Sequence, residues 1–224
     1  MLRFDLHVHT NFSRDGESTV EDILRTAQQK GLDGVAITDH NTTEGARYAL
    51  EVCERVAPGL IVIPGEEIST RSGHLIVLGI TEDIPRDMSV EATMAAGHAA
   101  GGTVVVPHPY NRPRHGIRML EGADAIESYN SRFILGFHNW YAKRRSTSLG
   151  LPQVAGSDAH RADFVGTAVT VIDSDVRTAP AVLRAIREGK TSTSVKKTPL
   201  SAYAAQIFKG WAKKARLLFK DYHQ

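Results

Sequence analysis

Phe4-Asp5-Leu6-His7-Val8-His9-Thr10 is the stretch from which the rest of the chain is read. Phe4, Leu6 and Val8 alternate with Asp5, His7 and His9, the pattern of a buried strand end. Residues two apart on a strand share a face. His7 and His9 are therefore expected to point the same way. Two neutral imidazoles converging from one strand end can chelate a borderline-soft divalent metal. A His-x-His pair alone is a weak signal, because histidines also serve as ordinary core and surface residues. Its meaning depends on the residues downstream.

The 224-residue chain has room for one good-sized domain. Its 42% hydrophobic and 23% charged content suit an ordinary packed core. Cys53, the single cysteine, excludes an internal disulfide and a cysteine-rich zinc site, and is expected within a helix. The opening residues show no basic region followed by an apolar run, and no apolar run approaches bilayer length. These features predict a cytoplasmic protein without stable membrane insertion. The net charge of +2 hides an asymmetry: residues 196–224 carry seven Lys/Arg against one acid, Asp221, so a basic tail follows a mildly acidic body.

Outward from the first strand, short apolar runs alternate with segments of helical period. Helices are expected over residues 19–30, with Thr19 as N-cap, and over 43–56, 89–100, 134–149 and 179–188. A short one is expected near 116–121. Strands are expected at residues 35–37, 60–63, 75–80 and 104–106, from Ala125, from Gln153, and at 168–172. This alternation is the signature of βα units on a parallel sheet. A closed barrel and an open doubly wound sheet both fit, and both place chemistry at the carboxyl ends of the strands.

The ligand-type residues collect at those ends. His7 and His9 close the first strand, Asp39 and His40 the second, and Glu66 and Glu67 the third. His74 stands just before the fourth strand, and His108 ends the next. Asp158-Ala159-His160 repeats the His-x-His spacing with one carboxylate. Asp15 lies in the loop after the first strand, where a turn or cap role competes with ligation. His98, on an Ala-rich helix, and His223, in the tail, read as bland; His115 and His138 stay undecided.

The segments Asp5-Leu6-His7-Val8-His9-Thr10, Thr38-Asp39-His40, Gly65-Glu66-Glu67-Ile68-Ser69, Pro107-His108-Pro109 and Gly156-Ser157-Asp158-Ala159-His160 together resemble the PHP (polymerase and histidinol phosphatase) family of metal-dependent phosphoesterases. The resemblance implies an α/β fold, a distorted (β/α)7 TIM-like barrel over residues 1–195. It implies two or three divalent ions (Mn, Zn or Fe, with Mn favoured and Mg admissible). His7, His9, Glu67 and Asp158 would hold the first. Glu67 would bridge to a second, completed by His74 and His108. Asp15, His40 and His160 would hold the third. The family's acid follows Pro-Gly-x, which selects Glu67 over Glu66. Asp15 departs from the many members with histidine there, and a carboxylate shifts that site toward harder metals such as Mn²⁺.

The implied activity is hydrolysis of phosphate esters by a metal-activated hydroxide, with Asp158, His160 and His40 in catalytic roles. Arg112, Arg132, Asn130 and Arg161, on strand-end loops, are candidates for substrate binding, arginine being suited to bidentate contact with phosphate. The substrate would be a nucleotide, a short nucleic acid or a small phosphorylated metabolite. Amidohydrolase-type C–N hydrolysis and a non-catalytic metal-stabilised module are the rivals. The amidohydrolase pattern commonly includes a bridging lysine, and no lysine ends an expected strand. Residues 196–224 read as a basic amphipathic C-terminal helix packed on the barrel. Ala204, Ile207, Phe208, Trp211, Ala215, Leu218 and Tyr222 fall on one face, and Lys209, Lys213, Arg216 and Lys220 on the other. The segment 200–222 could alternatively contact nucleic acid, a membrane surface or a second copy.

Overall fold

The structure is a computed structural model that describes residues 1–111, 116–132 and 137–195. Nine strands form one sheet in the order β7-β6-β5-β4-β3-β2-β1-β8-β9. They are β1 (Leu2–Val8), β2 (Gly34–Ile37), β3 (Ile61–Thr70), β4 (Gly73–Leu78), β5 (Thr103–Val106), β6 (Ala125–Asn130), β7 (Gln153–Gly156), β8 (Ala168–Ile172) and β9 (Thr191–Val195). The sheet curls into a nearly closed barrel. At the seam, Asp158 N donates to His7 O at 2.9 Å and His9 N to Ala159 O at 2.8 Å. Thr170 Oγ1 on β8 bonds Ala155 N and O of β7 at 2.8 and 2.9 Å.

The helices are α1 (Val20–Gln29), α2 (Glu44–Val56), α3 (Val90–Ala99), α4 (Phe137–Leu149) and α5 (Ala179–Arg187). Thr19 caps α1, its hydroxyl accepting from Asp22 N. Cys53 is a free, buried thiol on α2. The barrel interior is apolar, built from Phe4, Leu6, Ala36, Ile63, Ile76, Leu78, Val105, Ala125 and Val154. Val182, Leu183 and Ile186 of α5 join that cluster. Outside it, α1 and α2 pack on β1 and β2 through Ile23, Leu24, Ala46, Ala49, Val35 and Ile37. No helix among the described residues is long and apolar enough to cross a membrane.

The parallel sheet expected from the sequence needs correction. β1–β2–β3 and β5–β6–β7 are parallel, but β4 is antiparallel to both neighbours and β8 to β1 and β9. The reason is loop length. Only Arg71 and Ser72 join β3 to β4, and parallel strands need a crossover of a dozen residues or so. The third strand also runs on past the expected stop at Pro64-Gly65. Residues 61–64 pair with β2 and 65–70 with β4, so the Pro-Gly pair marks a change of partner. No helix forms at 116–121. The expected C-terminal helix lies outside the described residues.

Two bulges decide which side chains reach the barrel mouth. Asp5 pairs with Val35 and Val8 with Ile37, so Leu6 and His7 together face Ala36 alone. Strict alternation would put Leu6 and Val8 on one face. Instead Leu6 joins the interior cluster and Val8 the outer one, and the extra residue turns His7 and His9 inward. A second shift on β6 between Glu127 and Tyr129 lets Glu127 and Asn130, three residues apart, share a face.

Asp5 fastens this end of the barrel. Its carboxylate accepts from Ser157 N at 2.9 Å, Gly166 N at 2.7 Å and His7 N at 3.4 Å, all buried. Asp5→Ala would leave buried donors unpaired at about 1–3 kcal/mol each. The expected outcome is a loss of about 3 kcal/mol and a fall of about 6–12 °C in unfolding midpoint, read by denaturant titration and thermal scans. A midpoint within 2 °C of the unmutated chain, a limit of about 1 kcal/mol, would contradict this role.

Candidate metal centre

Glu67, on β3, lies at the middle of the site and is 1% exposed. Its Oε2 is 3.1 Å from His7 Nε2, 3.1 Å from His9 Nε2 and 3.4 Å from His40 Nδ1. Its Oε1 is 2.8 Å from His74 Nδ1 and 3.0 Å from His108 Nε2. The two oxygens of one carboxylate thus face two different sets of imidazole nitrogens. Asp158 Oδ1 stands 3.8 and 3.6 Å from His7 and His9 Nε2, and 3.4 Å from His160 Nδ1. On the outer side, Asp15 Oδ2 lies 3.0 Å from His160 Nε2 and 3.7 Å from His40 Nε2. All nine residues that the resemblance implies as ligands therefore meet in one continuous cluster, and seven of them, all but His7 and His9, line a cavity of about 300 Å³.

Local chain geometry explains each placement. Glu66 points the other way along β3, accepts from Ile84 N at 2.9 Å, and is pushed up by burial to a pKa of about 7. His74 belongs near the start of its strand, yet reaches the site because β4 is antiparallel. His40 is tied to Glu67 by an isolated parallel β-bridge beyond the end of β2: Glu67 N donates to Asp39 O and Asn41 N to Glu67 O. Asp39 itself points away from the cluster, accepting from Thr10 N, Thr10 Oγ1 and Ser13 Oγ at 2.7–2.8 Å. It fixes the loop that carries Asp15. His108 and Asp158 both sit at positive φ, 28° and 53°. Such backbone is costly for residues other than glycine and persists where surrounding bonds over-determine it. His108 N donates to Glu127 Oε2 at 2.7 Å, and Asp158 N to His7 O at 2.9 Å.

Hydrogen bonds behind the histidines set their tautomers. His7 Nδ1 lies 3.0 Å from Glu127 Oε1, an acceptor, so Nδ1 carries the proton and Nε2 turns a lone pair to the site. His160 Nδ1 donates to Asp158 O at 3.0 Å, which aims its Nε2 lone pair at Asp15. Lone pairs facing carboxylate oxygens repel unless a cation lies among them. Two donors bound about 2.1 Å from one ion at a right angle stand about 3.0 Å apart, the spacing seen around Glu67. The donor set of nitrogens and carboxylate oxygens therefore fits divalent metal ions. Protons on the imidazoles can take the place of that cation. Burial alone would raise Glu67, but His7, His40 and His108 hold its carboxyl well below the ordinary range. Burial would likewise raise Asp158, yet Arg132 and His7 hold it well below. Burial lowers His9, and Asp158 and Glu67 outweigh it, raising the ring to about 9.

Glu127 is the residue that sequence reading missed. It is 2% exposed and contacts His7, His108 N and Asn130 Nδ2. The available signal was an acid two residues beyond Ala125 on a strand otherwise read as buried. Of the candidates for substrate contact, Arg132 lines the cavity and pairs with Asp158 Oδ1 at 3.1 Å. Asn130 is fully buried behind it, donating to Glu127 and Asp158. Arg161 is held by Asp163 through two bonds of 3.1 and 3.0 Å and is not among the residues lining the cavity. Arg112 lies outside the described residues. His98 pairs with Asp124 at 2.9 Å, on the exposed side of α3.

Comparison with known proteins bears on the family and the fold. Residues 5–94 match the family model for the PHP domain, and residues 136–191 match the PHP-associated model. An uncharacterized protein of Methanocaldococcus jannaschii is 38% identical over 120 residues, 49% of this chain and 69% of that protein. The phosphoribosyl 1,2-cyclic phosphate 1,2-diphosphodiesterase of Eggerthella lenta is 40% identical over 87 residues, covering 36% of this chain and only 32% of that enzyme. A two-domain protein from Bacteroides vulgatus, described as containing a predicted PHP-like metal-dependent phosphoesterase, superposes with a TM-score of 0.74 at 19% identity. That match covers 87% of this chain and 64% of the other.

Mn²⁺ added to the chelated protein is expected to raise its unfolding midpoint. At a hundredfold excess over Kd the gain is about 2.7 kcal/mol, or about 5–11 °C. Glu67→Gln should abolish the gain, and Glu127→Gln should weaken metal affinity by about 10–100-fold. Thermal scans with elemental analysis of the bound metal check both. An unmutated chain that retains no metal and gains no stability would contradict the centre.

Proposed function

Because this chain belongs to the PHP family, we propose that it hydrolyses phosphate esters at the Glu67 centre, with Mn²⁺ as the favoured ion in two or three sites. The single observation that carries this reading is the Glu67 carboxylate, each oxygen facing its own set of imidazole nitrogens. His7, His9, Glu67 and Asp158 would hold one ion, Glu67, His74 and His108 a second, and Asp15, His40 and His160 a third. Clustered divalent ions, when bound, neutralise phosphate oxygens and make water nucleophilic near neutral pH.

The chain's own residues supply the rest. Asp158, kept ionised by Arg132, orients the attacking water and accepts its proton. Arg132 is 45% exposed on its side chain, the one arginine lining the cavity among the described residues. It can exchange Asp158 for two non-bridging phosphate oxygens. In the two-ion form, where Asp15, His40 and His160 hold no metal, His40 and His160, packed ring to ring on His9 with centroids 4.5 and 4.3 Å away, are the proton donors for the leaving oxygen. Asn130 acts from behind by holding Asp158 and Glu127. We favour phosphoester over amide hydrolysis because the Glu67 carboxylate, and no lysine, stands between the two sets of imidazoles, and no lysine is among the described lining residues.

The test is hydrolysis of p-nitrophenyl phosphate and bis-p-nitrophenyl phosphate beside a panel of amides, with Mn²⁺ and after chelation. Phosphoester turnover that needs the metal is expected, with amides untouched. Asp158→Asn and His9→Ala should each reduce kcat by about a hundredfold or more. Arg132→Ala should raise KM by about tenfold, the size of one charge-assisted contact. Full activity in Asp158→Asn or His9→Ala, or turnover indifferent to chelation, would sink the scheme.

A further inference from the structure

A second cavity, of about 470 Å³, adjoins the metal centre and shares Asn111 with it. Its size falls within the range of small-molecule sites. Ile117 and Met119 give it an apolar wall, Tyr110 an aromatic one, and Arg71 and Arg118 two guanidinium groups. Arg71 is anchored by its Nε to Asp87 O at 3.0 Å.

Tyr110 is held in a costly conformation. Its φ is 69°, a genuine outlier for a bulky aromatic residue. Backbone of this kind clusters at ligand sites, where the surroundings impose it. Here Gly116 N donates to Asn111 O at 2.9 Å, and a Cβ at Gly116 would strike Asn111 N at 2.2 Å. The Tyr110 ring meets Tyr141 of α4 edge to face, centroids 4.6 Å apart. The ring is therefore braced from behind.

We propose that this cavity is a subsite for the nucleoside side of a nucleotide-type phosphoester, with the base against Tyr110 and a further phosphate on Arg71 and Arg118. The inference rests on the phosphoester reading of the adjoining centre. Aromatic stacking accepts any base because every base has a π face. Arginine forks match phosphate oxygens. A small monoester would be contained in the 300 Å³ metal cavity and would use none of these groups. Asn111 lies on the shared wall, where the scissile phosphate joins the two halves.

Binding can be read without turnover by fluorescence polarisation of a labelled 5′-phosphorylated dinucleotide with the chelated 224-residue chain. Tyr110→Ala and Arg118→Ala should each weaken binding by about tenfold, and Tyr110→Phe, which keeps the ring, should bind like the unmutated chain. In the Mn²⁺-loaded protein, the ratio of kcat/KM for the dinucleotide to that for glycerol phosphate should fall by about tenfold in Tyr110→Ala. No binding by the unmutated chain, or equal binding by Tyr110→Ala, overturns the subsite. Intact nucleotide binding with no turnover of either substrate would overturn the phosphoester reading instead, so the two failures are distinguishable.

Discussion

A carboxylate buried to 1% exposure among five histidine side chains is the constraint around which this barrel is built. Removing a charge from water is expensive unless opposite charge or hydrogen bonds replace the lost hydration. Glu67 meets that demand from five directions, and the nitrogens arrive on separate parts of the chain. His7 and His9 come from β1 and its end, His40 from the end of β2, His74 from β4 and His108 from the end of β5. A divalent ion satisfies the same field with better geometry than protons do, since it can sit among several lone pairs at once.

Holding so many like groups together requires a rigid frame, and buried acids supply it. Asp5 gathers amides from both sides of the barrel seam. Asp39 pins the first loop through Thr10 and Ser13. Glu127 fixes the tautomer of His7 and the strained amide of His108. Gly156 belongs to the same frame: a Cβ there would stand 2.4 Å from His7 Cβ and 2.6 Å from Glu127 Oε1. None of these groups faces the cavity, yet the positions of those that do follow from them.

The resemblance to the PHP family could be read from short motifs, because His-x-His, Asp-x-His and Pro-Gly-x-Glu each keep several chemical groups within a few residues. The strands and helices were legible for the same local reason. Thr19 caps α1 where its spacing said it would, and Ala168–Ile172 forms β8 as expected. Glu127 was not legible. A lone acid on a buried strand has the same local pattern whether it holds a ligand or ends a strand, and only the partners on β1 and after β5 tell the two apart. The pairing of Tyr110 with Tyr141 is invisible for the same reason, since 30 residues of chain separate them.

Sequence alone determined which residue types could bind metal and that they fall at strand ends, since both depend on side-chain chemistry and short-range periodicity. Tertiary structure decided how they face one another. The bulge at Leu6-His7 turns His7 and His9 into the barrel although plain alternation would set them opposite Phe4 and Leu6. The antiparallel β4 brings His74 to the mouth although it begins its strand. Register and strand direction are properties of pairs of distant segments. They are chosen by hydrogen bonds and packing that exist only once the barrel has closed.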